Sequence, residues 1–573
     1  MLRSDAWLVG DTEVAVEHRV ALRSAGLDIN SSGGKPVIGI ANSASDLNPC
    51  NLPFRELAHF VKQGVVSAGG IPAEFPTMSL GEDLVKPTAM LYRNLLAMEI
   101  EEMARSHPLD GLILLANCDK TIPGALMGAF SADLPTLIVT CGSRKPAVLD
   151  GQRLASGTDL WRQWDKHRSS GNSQHEWDSF EKALNCGPGA CNSMGTASTM
   201  AVLSEILGFM LPGTSTIPTN DLRSAHAARH AGARVVRLVV EDKRPSRVCT
   251  VMHFRNALRV LNAIGGSTNA LIHLAALAGR LGLSFEPREV DSIGRDIPLV
   301  VDVQPSGSGL MQDFDVAGGV PALLAVLADK LETGVALASG ESVATIANAA
   351  PKPSGVVRPL ARALHPGGTF RYVQGSLAPD GAVIKVSAAS PHLLSHRGAA
   401  IVFESYDDML LRIDDPSLNV DATSVLILRN SGPVGAPGMP EWGMIPMPVK
   451  LLQSGITDVL RISDARMSGT SYGTVALHVS PEAAIGGPLA LVQDGDLIEL
   501  DADRGRLDLI VEKSLLRERA ARKPVRPPSK HLRGWPALYE AHVLQAPQGC
   551  DFDFLIAPTP EHRRFVEPVI GRS

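Results

Sequence analysis

Three cysteines of this chain stand in similar company. Cys50 lies in Asn48-Pro49-Cys50-Asn51, Cys118 in Asn117-Cys118-Asp119-Lys120, and Cys191 in Gly187-Pro188-Gly189-Ala190-Cys191-Asn192. The first follows an apolar strand, the second ends a buried strand, and the third comes just before a helix pattern. Glycine-rich turns and helix N-termini offer N–H groups that stabilise thiolates. Three loop thiols without a matching fourth suit an iron–sulfur cluster with one iron left open, and an open iron is a Lewis acid able to take a hydroxyl leaving group. The spacings are too wide for a zinc or ferredoxin pattern, and any single cysteine is more often an inert buried thiol. Cys141, at the end of a strand, is the nearest competitor; Cys186 is close to Cys191, while Cys249 and Cys550 read as ordinary.

The acids come next. Asp119 and Lys120 directly follow Cys118, Glu82 lies in Leu80-Gly81-Glu82-Asp83, and Glu441 lies in a Gly/Pro-rich run that starts at Ser431. Oxygen ligands brought from loops of two domains could hold Mg²⁺, although an arbitrary carboxylate is usually a surface group. An unmodified Lys120 ammonium would repel that cation, so it must be modified, deprotonated or turned away. Ser463-Asp464-Ala465-Arg466-Met467-Ser468-Gly469-Thr470-Ser471 follows a strand. A serine in a tight glycine turn can project into a cleft. Beside a divalent cation it could act as an alkoxide base; its plain alternative is a turn serine that bonds its own backbone.

These residues need elements to position them. Val37 to Ala41, Gly111 to Ala116 and Leu137 to Thr140 read as buried strands. Helix patterns run from Pro53 to about Ser67, from Thr88 to about Arg105, from Pro123, and from about Ser193 to Leu207. Such alternation predicts an α/β domain whose parallel sheet is flanked by helices. Gln152 to Lys182 reads as a polar surface insertion, a candidate lid, and Ala350 to Gly368, with four prolines, as an interdomain linker. Beyond it, Val383–Val386, Ala400–Phe403 and Ser424–Leu428 are short strands, and a hairpin turns around Asp503-Arg504-Gly505. The expected organisation is an α/β domain over 1–365, carrying the cysteines and most of the acids, and a mainly β, barrel-like domain over 366–573, carrying Ser468 and Glu441.

Composition narrows the function classes. The 573 residues carry a net charge of −6, with 45% hydrophobic and 20% charged residues. That balance gives no basic footprint for nucleic acid or an anionic membrane; the densest basic run, Arg517 to Arg526, reads as a solvated face. No apolar run approaches the roughly 18 residues of a membrane span, and the N-terminus lacks a signal-peptide core. A cytoplasmic location is expected, where an odd count of seven cysteines argues for ligands and buried thiols rather than disulfides.

Taken together, the chain resembles the dihydroxyacid and sugar-acid dehydratase family. The resemblance runs from about Lys35 to about Val511. It rests on the three cysteine motifs, Gly81-Glu82, Ile264-Gly265-Gly266-Ser267-Thr268-Asn269-Ala270, Gly432-Pro433 through Pro440-Glu441, and Ser463 to Gly469. By that resemblance, Cys50, Cys118 and Cys191 would hold a [2Fe–2S] cluster, although three cysteines by themselves equally allow a [4Fe–4S] cluster with one open iron. Glu82, Asp119 and Glu441 would bind Mg²⁺ with a carbamylated Lys120, Ser468 would be the catalytic serine, and Thr470 an assisting hydroxyl. The resemblance implies a homodimer or homotetramer. Met467 and Glu82 resemble the sugar-acid branch, which favours an aldonate such as arabinonate or xylonate, dehydrated to its 2-keto-3-deoxy acid. A branched-chain dihydroxy acid is the runner-up substrate. A phosphorylated aldonate fits less well, for want of a phosphate-cradling loop beyond Gly265 to Thr268. A different class, an electron carrier or redox sensor, normally has four protein ligands and needs no acids beside the cluster.

Overall fold

A computed structural model describes residues 2–31, 33–184, 187–522, 531–557, 559 and 567–571. Cys186 and the end of the 517–526 basic run lie outside the described residues. Four strands, β1 (Val37–Asn42), β2 (Ile71–Pro76), β3 (Gly111–Leu115) and β4 (Thr136–Val139), form a parallel sheet in the order β2-β1-β3-β4. Alternate residues of β3 serve opposite faces. Leu112 and Leu114 join the largest core cluster with Ile100 and Phe130, whereas Ile113 and Leu115 pack with Val61 and Val235. Both faces are covered, which is why the apolar runs of β1, β3 and β4 are nearly unbroken. The helices Phe54–Ser67 and Leu222–Val240 cross on the second face through paired glycines: a Cβ on Gly64 would come within 1.9 Å of the Arg229 carbonyl oxygen, and one on Gly232 within 2.2 Å of that of Val61. Because the strands are parallel, the loops after β1, β3 and β4 leave from one edge of the sheet, the edge at which open α/β sheets bind ligands.

The 152–182 stretch is more than a surface insertion. After a small hairpin of β5 (Ala147–Leu149) and β6 (Gln152–Leu154) come the helices Thr158–Ser170 and Gln174–Leu184. Ala147, Leu154 and Phe180 give the module its own small core. Its first helix crosses to the second lobe, where Arg168 Nη2 donates to Asp414 Oδ1 at 2.8 Å and the Tyr472 hydroxyl donates to Asp165 Oδ2 at 3.3 Å.

The second lobe is an eight-stranded sheet of β7 (Phe370–Val373), β8 (Gly381–Lys385), β9 (Ser395–Phe403), β10 (Val425–Leu428), β11 (Leu460–Ser463), β12 (Val475–Ser480), β13 (Leu497–Asp501) and β14 (Arg506–Ile510). Its order is β14-β13-β9-β10-β11-β12-β8-β7, parallel from β9 to β12 and antiparallel elsewhere. The two edges meet. Gln374 pairs with Arg506, its N–H donating to Gly505 O at 2.9 Å while its carbonyl accepts from Leu507 N at 3.1 Å, so the sheet closes into a near-barrel. Ile384, Val402, Ile427, Ile462 and Leu507 fill the inside. The hairpin around 503–505 forms as expected, with Leu497 opposite Ile510 and Asp501 opposite Arg506. The 350–368 stretch holds only one short 3₁₀ turn, Leu360–Arg362, and is pinned by bridges of Val357 to Val301 and His365 to Leu299.

The chain then returns to the first lobe. The helix Gly534–His542 brings Tyr539, with Phe552, against Leu91. Arg93 Nη2 donates to the carbonyls of Gly549 and Cys550 at 2.8 and 2.9 Å. Arg280 pairs with Asp551 at 2.6 Å, both side chains fully buried. Among the described residues no helix is long and apolar enough to cross a membrane.

One buried acid of this scaffold gives it a pH-dependent element. Glu205, in the helix Thr196–Ile206, accepts from Gly213 N at 2.6 Å and from Ser215 Oγ at 2.6 Å. Burial outweighs these hydrogen bonds and pushes its carboxyl up from 4.5 to about 7. The folded state therefore holds a proton that the unfolded chain releases at lower pH. The stabilisation is complete below the unfolded value and is lost as pH rises through about 7. Glu205→Gln keeps one acceptor and cannot ionise. Its melting temperature should rise relative to the native chain's as the buffer goes from about pH 5 to about pH 8, measured by scanning calorimetry; a constant difference would show that Glu205 does not carry this dependence.

Candidate active site

The loops after β1, β3 and β4 are tied together by one side chain, Asn117. Its amide nitrogen donates to Cys50 O and to Gly142 O, both at 2.9 Å, and its oxygen accepts from Gly142 N at 3.1 Å. Its own N–H donates to Asn51 Oδ1 at 3.1 Å. Gly142 O in turn accepts from Ala190 N at 3.0 Å, and Pro49 O accepts from Gly189 N at 3.1 Å, which brings the Cys191 loop to the other two. The Cys118 thiol lies within hydrogen-bonding reach of Cys50; that contact, then burial, pushes it well above the ordinary thiol range. Burial pushes the Cys191 thiol up to about 12, against the pull of the nearby Arg144 guanidinium and with Cys50 adding to the rise. Thiols so placed become thiolates only when a cation offsets the burial. Cys141 stands apart in role, its thiol donating to Cys50 O at 2.9 Å.

Beside Cys118, the Lys120 side chain is wholly buried. Its Nζ lies 2.5 Å from Asp119 Oδ2 and 3.2 Å from both Glu82 Oε2 and Glu441 Oε1. One oxygen from each of Glu82, Asp119 and Glu441 falls within 4.8 Å of the others, so acids of both lobes converge on one point. Glu82 Oε2 is buried without a hydrogen-bond donor and meets only the ammonium. Burial, with Glu441 and Asp119 adding to it, raises the Glu82 carboxyl despite Lys120. Burial acts on Glu441 as well, but Lys120 and Arg466 overcome it and hold that carboxyl low. Burial opposes the Lys120 charge, and the three carboxylates around it more than restore it.

Arg466 was not among the residues singled out from the sequence, yet it braces the cluster. Its Nη1 donates to Glu441 Oε1 at 2.9 Å, its Nη2 to Thr88 Oγ1 at 3.1 Å, and its Nε to Met439 O at 2.8 Å. Thr88 passes the link to Glu82 Oε1 at 2.5 Å. Asn269, at the end of the Gly265-Gly266-Ser267-Thr268 motif, donates to Glu441 Oε1 at 2.8 Å and to Thr196 Oγ1 at 3.1 Å. The loop that delivers Glu441 is held at its start by two buried acids. Asp464 accepts from Ser431 N and Glu482 from Gly435 N, at 2.9 and 2.8 Å. A charge pattern alone does not reveal which arginine is buried; the available signal was the place of Arg466 within the Ser463 to Gly469 motif.

Ser468 lies in the turn after β11. Its Oγ is 2.9 Å from Thr470 Oγ1 and accepts from Thr470 N at 3.3 Å. The turn lies against the first lobe: a Cβ on Gly469 would come within 2.7 Å of Thr196 N and 2.8 Å of Ser267 Oγ. Thr196 begins the helix that follows Cys191. The structure thus gathers the cysteine loops, the acids with Lys120, and the Ser468–Thr470 turn at one junction between the lobes. An acid pocket, a positionable hydroxyl and adjacent thiols can together bind a carboxylate-bearing substrate through a cation and move a proton beside it.

A two-lobed dehydratase fits this fold and site, and the chain belongs to the dihydroxy-acid/6-phosphogluconate dehydratase family. The N-terminal model of that family matches residues 35–346 and its C-terminal model residues 355–550. The chain is similar to 6-deoxy-6-sulfo-D-gluconate dehydratase of Pseudomonas putida, 46% identical over 97% of this chain and 96% of that protein. It is 45% identical to L-arabinonate dehydratase of Rhizobium leguminosarum bv. trifolii, over 97% of this chain and 96% of the relative. Dihydroxy-acid dehydratase of Ignicoccus hospitalis is more distant, at 36% over 96% and 99% of the two chains. The protein is accordingly an enzyme, a hydro-lyase.

Asn117→Ala orphans the Gly142 N–H and leaves the Cys50 and Gly142 carbonyls with one donor each, from Cys141 and Ala190, at a cost of about 1–3 kcal/mol for the buried N–H left without its partner. The variant should unfold at lower denaturant and retain less iron after anaerobic reconstitution. Unchanged denaturation and iron content would show that the loops hold without it.

Proposed function

We propose that the protein removes water from a sugar acid, an aldonate such as arabinonate or xylonate, to give the 2-keto-3-deoxy acid. The observation that carries this reading is the link between the three-acid pocket and the Ser468 turn across the lobe junction: Asn269 donates to both Glu441 and Thr196, and Gly469 lies against Thr196 N. The substrate class follows the relatives: the sugar-acid dehydratases stand at 45–46% identity and the dihydroxy-acid enzyme of Ignicoccus hospitalis at 36%. A branched-chain dihydroxy acid is the second reading, and that more distant likeness is what favours it.

The donor sets fit two resident groups: soft thiols at Cys50, Cys118 and Cys191 suit iron, and hard oxygens at Glu82, Asp119 and Glu441 suit Mg²⁺. When bound, a [2Fe–2S] cluster on the thiols would supply a Lewis-acid iron for the C3 hydroxyl, and Mg²⁺ would neutralise the substrate carboxylate and acidify the C2 proton. Carbamylation of Lys120 would turn its ammonium into a fourth oxygen donor. Addition of CO₂ with loss of two protons from the ammonium would exchange a cation for an anion, and with Mg²⁺ bound the local formal charge would be unchanged. Ser468 Oγ, as alkoxide, takes the C2 proton, and the Thr470 hydroxyl and N–H steady the charge that Ser468 carries. Arg466 and Asn269 keep the Glu441 carboxylate in place throughout. A cytoplasmic dimer or tetramer goes with this reading, and light scattering checks the assembly.

An anaerobic screen with Mg²⁺ should find 2-keto acid from L-arabinonate, D-xylonate or 6-deoxy-6-sulfo-D-gluconate in preference to 2,3-dihydroxy-3-methylbutanoate; the reverse preference overturns the sugar-acid assignment. Ser468→Ala, loaded with iron and Mg²⁺, should lose about 10²–10⁴-fold in kcat, and near-normal turnover would remove Ser468 from the role of base.

A further inference from the structure

The helix Thr158–Ser170 belongs to the module inserted between the cysteine loops, yet its first turn is aimed at the Ser468–Thr470 turn of the other lobe. Three neighbouring residues converge on Thr470. A Cβ on Gly157 would come within 2.5 Å of Thr470 Oγ1, so that position has room only for glycine. The fully buried Thr158 hydroxyl donates to Thr470 O at 3.0 Å. The Trp161 indole Nε1 donates to Thr470 Oγ1 at 3.2 Å. Further along, Arg162 lies over the Tyr472 ring at 5.6 Å and Asp165 accepts from the Tyr472 hydroxyl at 3.3 Å, which holds the helix against the turn.

The direction of these bonds matters. An indole N–H can only donate, so Thr470 Oγ1 must accept from Trp161. The indole takes one of the two lone pairs of Thr470 Oγ1, which favours turning the Thr470 proton onto the 2.9 Å contact to Ser468 Oγ. Ser468 Oγ then receives two donors, the Thr470 hydroxyl and the Thr470 backbone N–H at 3.3 Å. Its own proton faces away from Thr470. That is the arrangement an alkoxide requires: both donors already aimed at the oxygen that becomes charged, with no reorientation when the charge appears. Without the indole, both lone pairs of Thr470 Oγ1 are open and its hydroxyl accepts more readily from Ser468, which stabilises the neutral serine instead.

We propose that Trp161 is a positioning residue of the dehydration, which fixes the Thr470 hydroxyl as donor to Ser468 and so favours ionisation of that serine. The inference rests on the reading of Ser468 as the base. It makes the inserted helix part of the proton-transfer apparatus and links its docking to the readiness of the site.

The test uses the iron- and Mg²⁺-loaded enzyme and whichever aldonate the screen selects. Trp161→Phe keeps the ring and removes the N–H. It should lower kcat at neutral pH by about tenfold, the effect of one hydrogen bond of ordinary strength. The acid limb of the kcat/KM profile should move to higher pH by about one unit, while KM changes by less than about threefold. Trp161→His, which retains a ring N–H, should recover part of the loss. In a Thr470→Val background, Trp161→Phe should cost less than about twofold, because the relay is already cut. In protein labelled with ¹⁵N-tryptophan, the indole resonance that Trp161→Phe removes should be displaced by Thr470→Val. An unmoved pH profile, or an equal loss in the Thr470→Val background, overturns the proposal and leaves Trp161 a packing residue. An active Ser468→Ala variant would instead sink the base assignment, so the two failures are told apart.

Discussion

Lys120 carries its charge into a space closed to water, and three carboxylates from two lobes surround it. A buried ion of this kind is tolerable only while its partners stay in place, because removing one leaves an uncompensated charge at low dielectric. Asp119 is its neighbour in the chain, but Glu82 comes from the loop after β2 and Glu441 from the long loop after β10. The demand for charge balance therefore acts between the lobes. The arrangement of Arg466, Thr88 and Asn269 follows from it: each fills a hydrogen-bonding position on a largely buried carboxylate.

Around that centre the two sheets have different tasks. The parallel sheet presents its carboxyl-end loops at one edge, and Asn117 joins them with hydrogen bonds that any loosening would leave unmade. The near-barrel is a stiff closed surface whose parallel strands β10 and β11 launch the Glu441 loop and the Ser468 turn from the same end. Ser468 itself is only half-buried, in contrast to the fully buried Arg466 two residues earlier. Charge is held in the buried part of the junction, while the Ser468 hydroxyl sits at a partly exposed position.

How far the sequence could be read depended on the element. β1, β3 and β4 are legible because both of their faces are buried and their apolar runs are unbroken. β2 is not: Pro72, Glu74 and Pro76 break the pattern, which an edge strand tolerates because one side of it makes no ladder bonds. The hairpin of β13 and β14 is plain from its alternation and turn. The polar 152–182 stretch reads as surface because Trp, Ser and His follow no core period there, yet its first helix packs onto the other lobe through single hydrogen bonds that leave no periodic trace. The cysteines, acids and Ser468 stand out by residue type and company, and the structure gathers them at one junction. Asn117, Arg466 and Trp161 did not stand out as contributors, since what distinguishes them is the geometry of their partners and not their kind.

The return of the chain to the first lobe also orders its assembly in time. Arg280 is wholly buried, and the carboxylate that receives its Nε and Nη2 belongs to Asp551, 271 residues further along. Arg93 likewise spends its donors on carbonyls at 549 and 550. During synthesis both guanidiniums emerge long before those acceptors exist, and an arginine in that state stays in water. Within the first lobe Arg280 has Glu101 and Ser131 and Arg93 has Asn94 and His273, and the returning segment supplies their remaining acceptors. The segment around 549–551 thus completes the hydrogen bonding of a core begun hundreds of residues earlier.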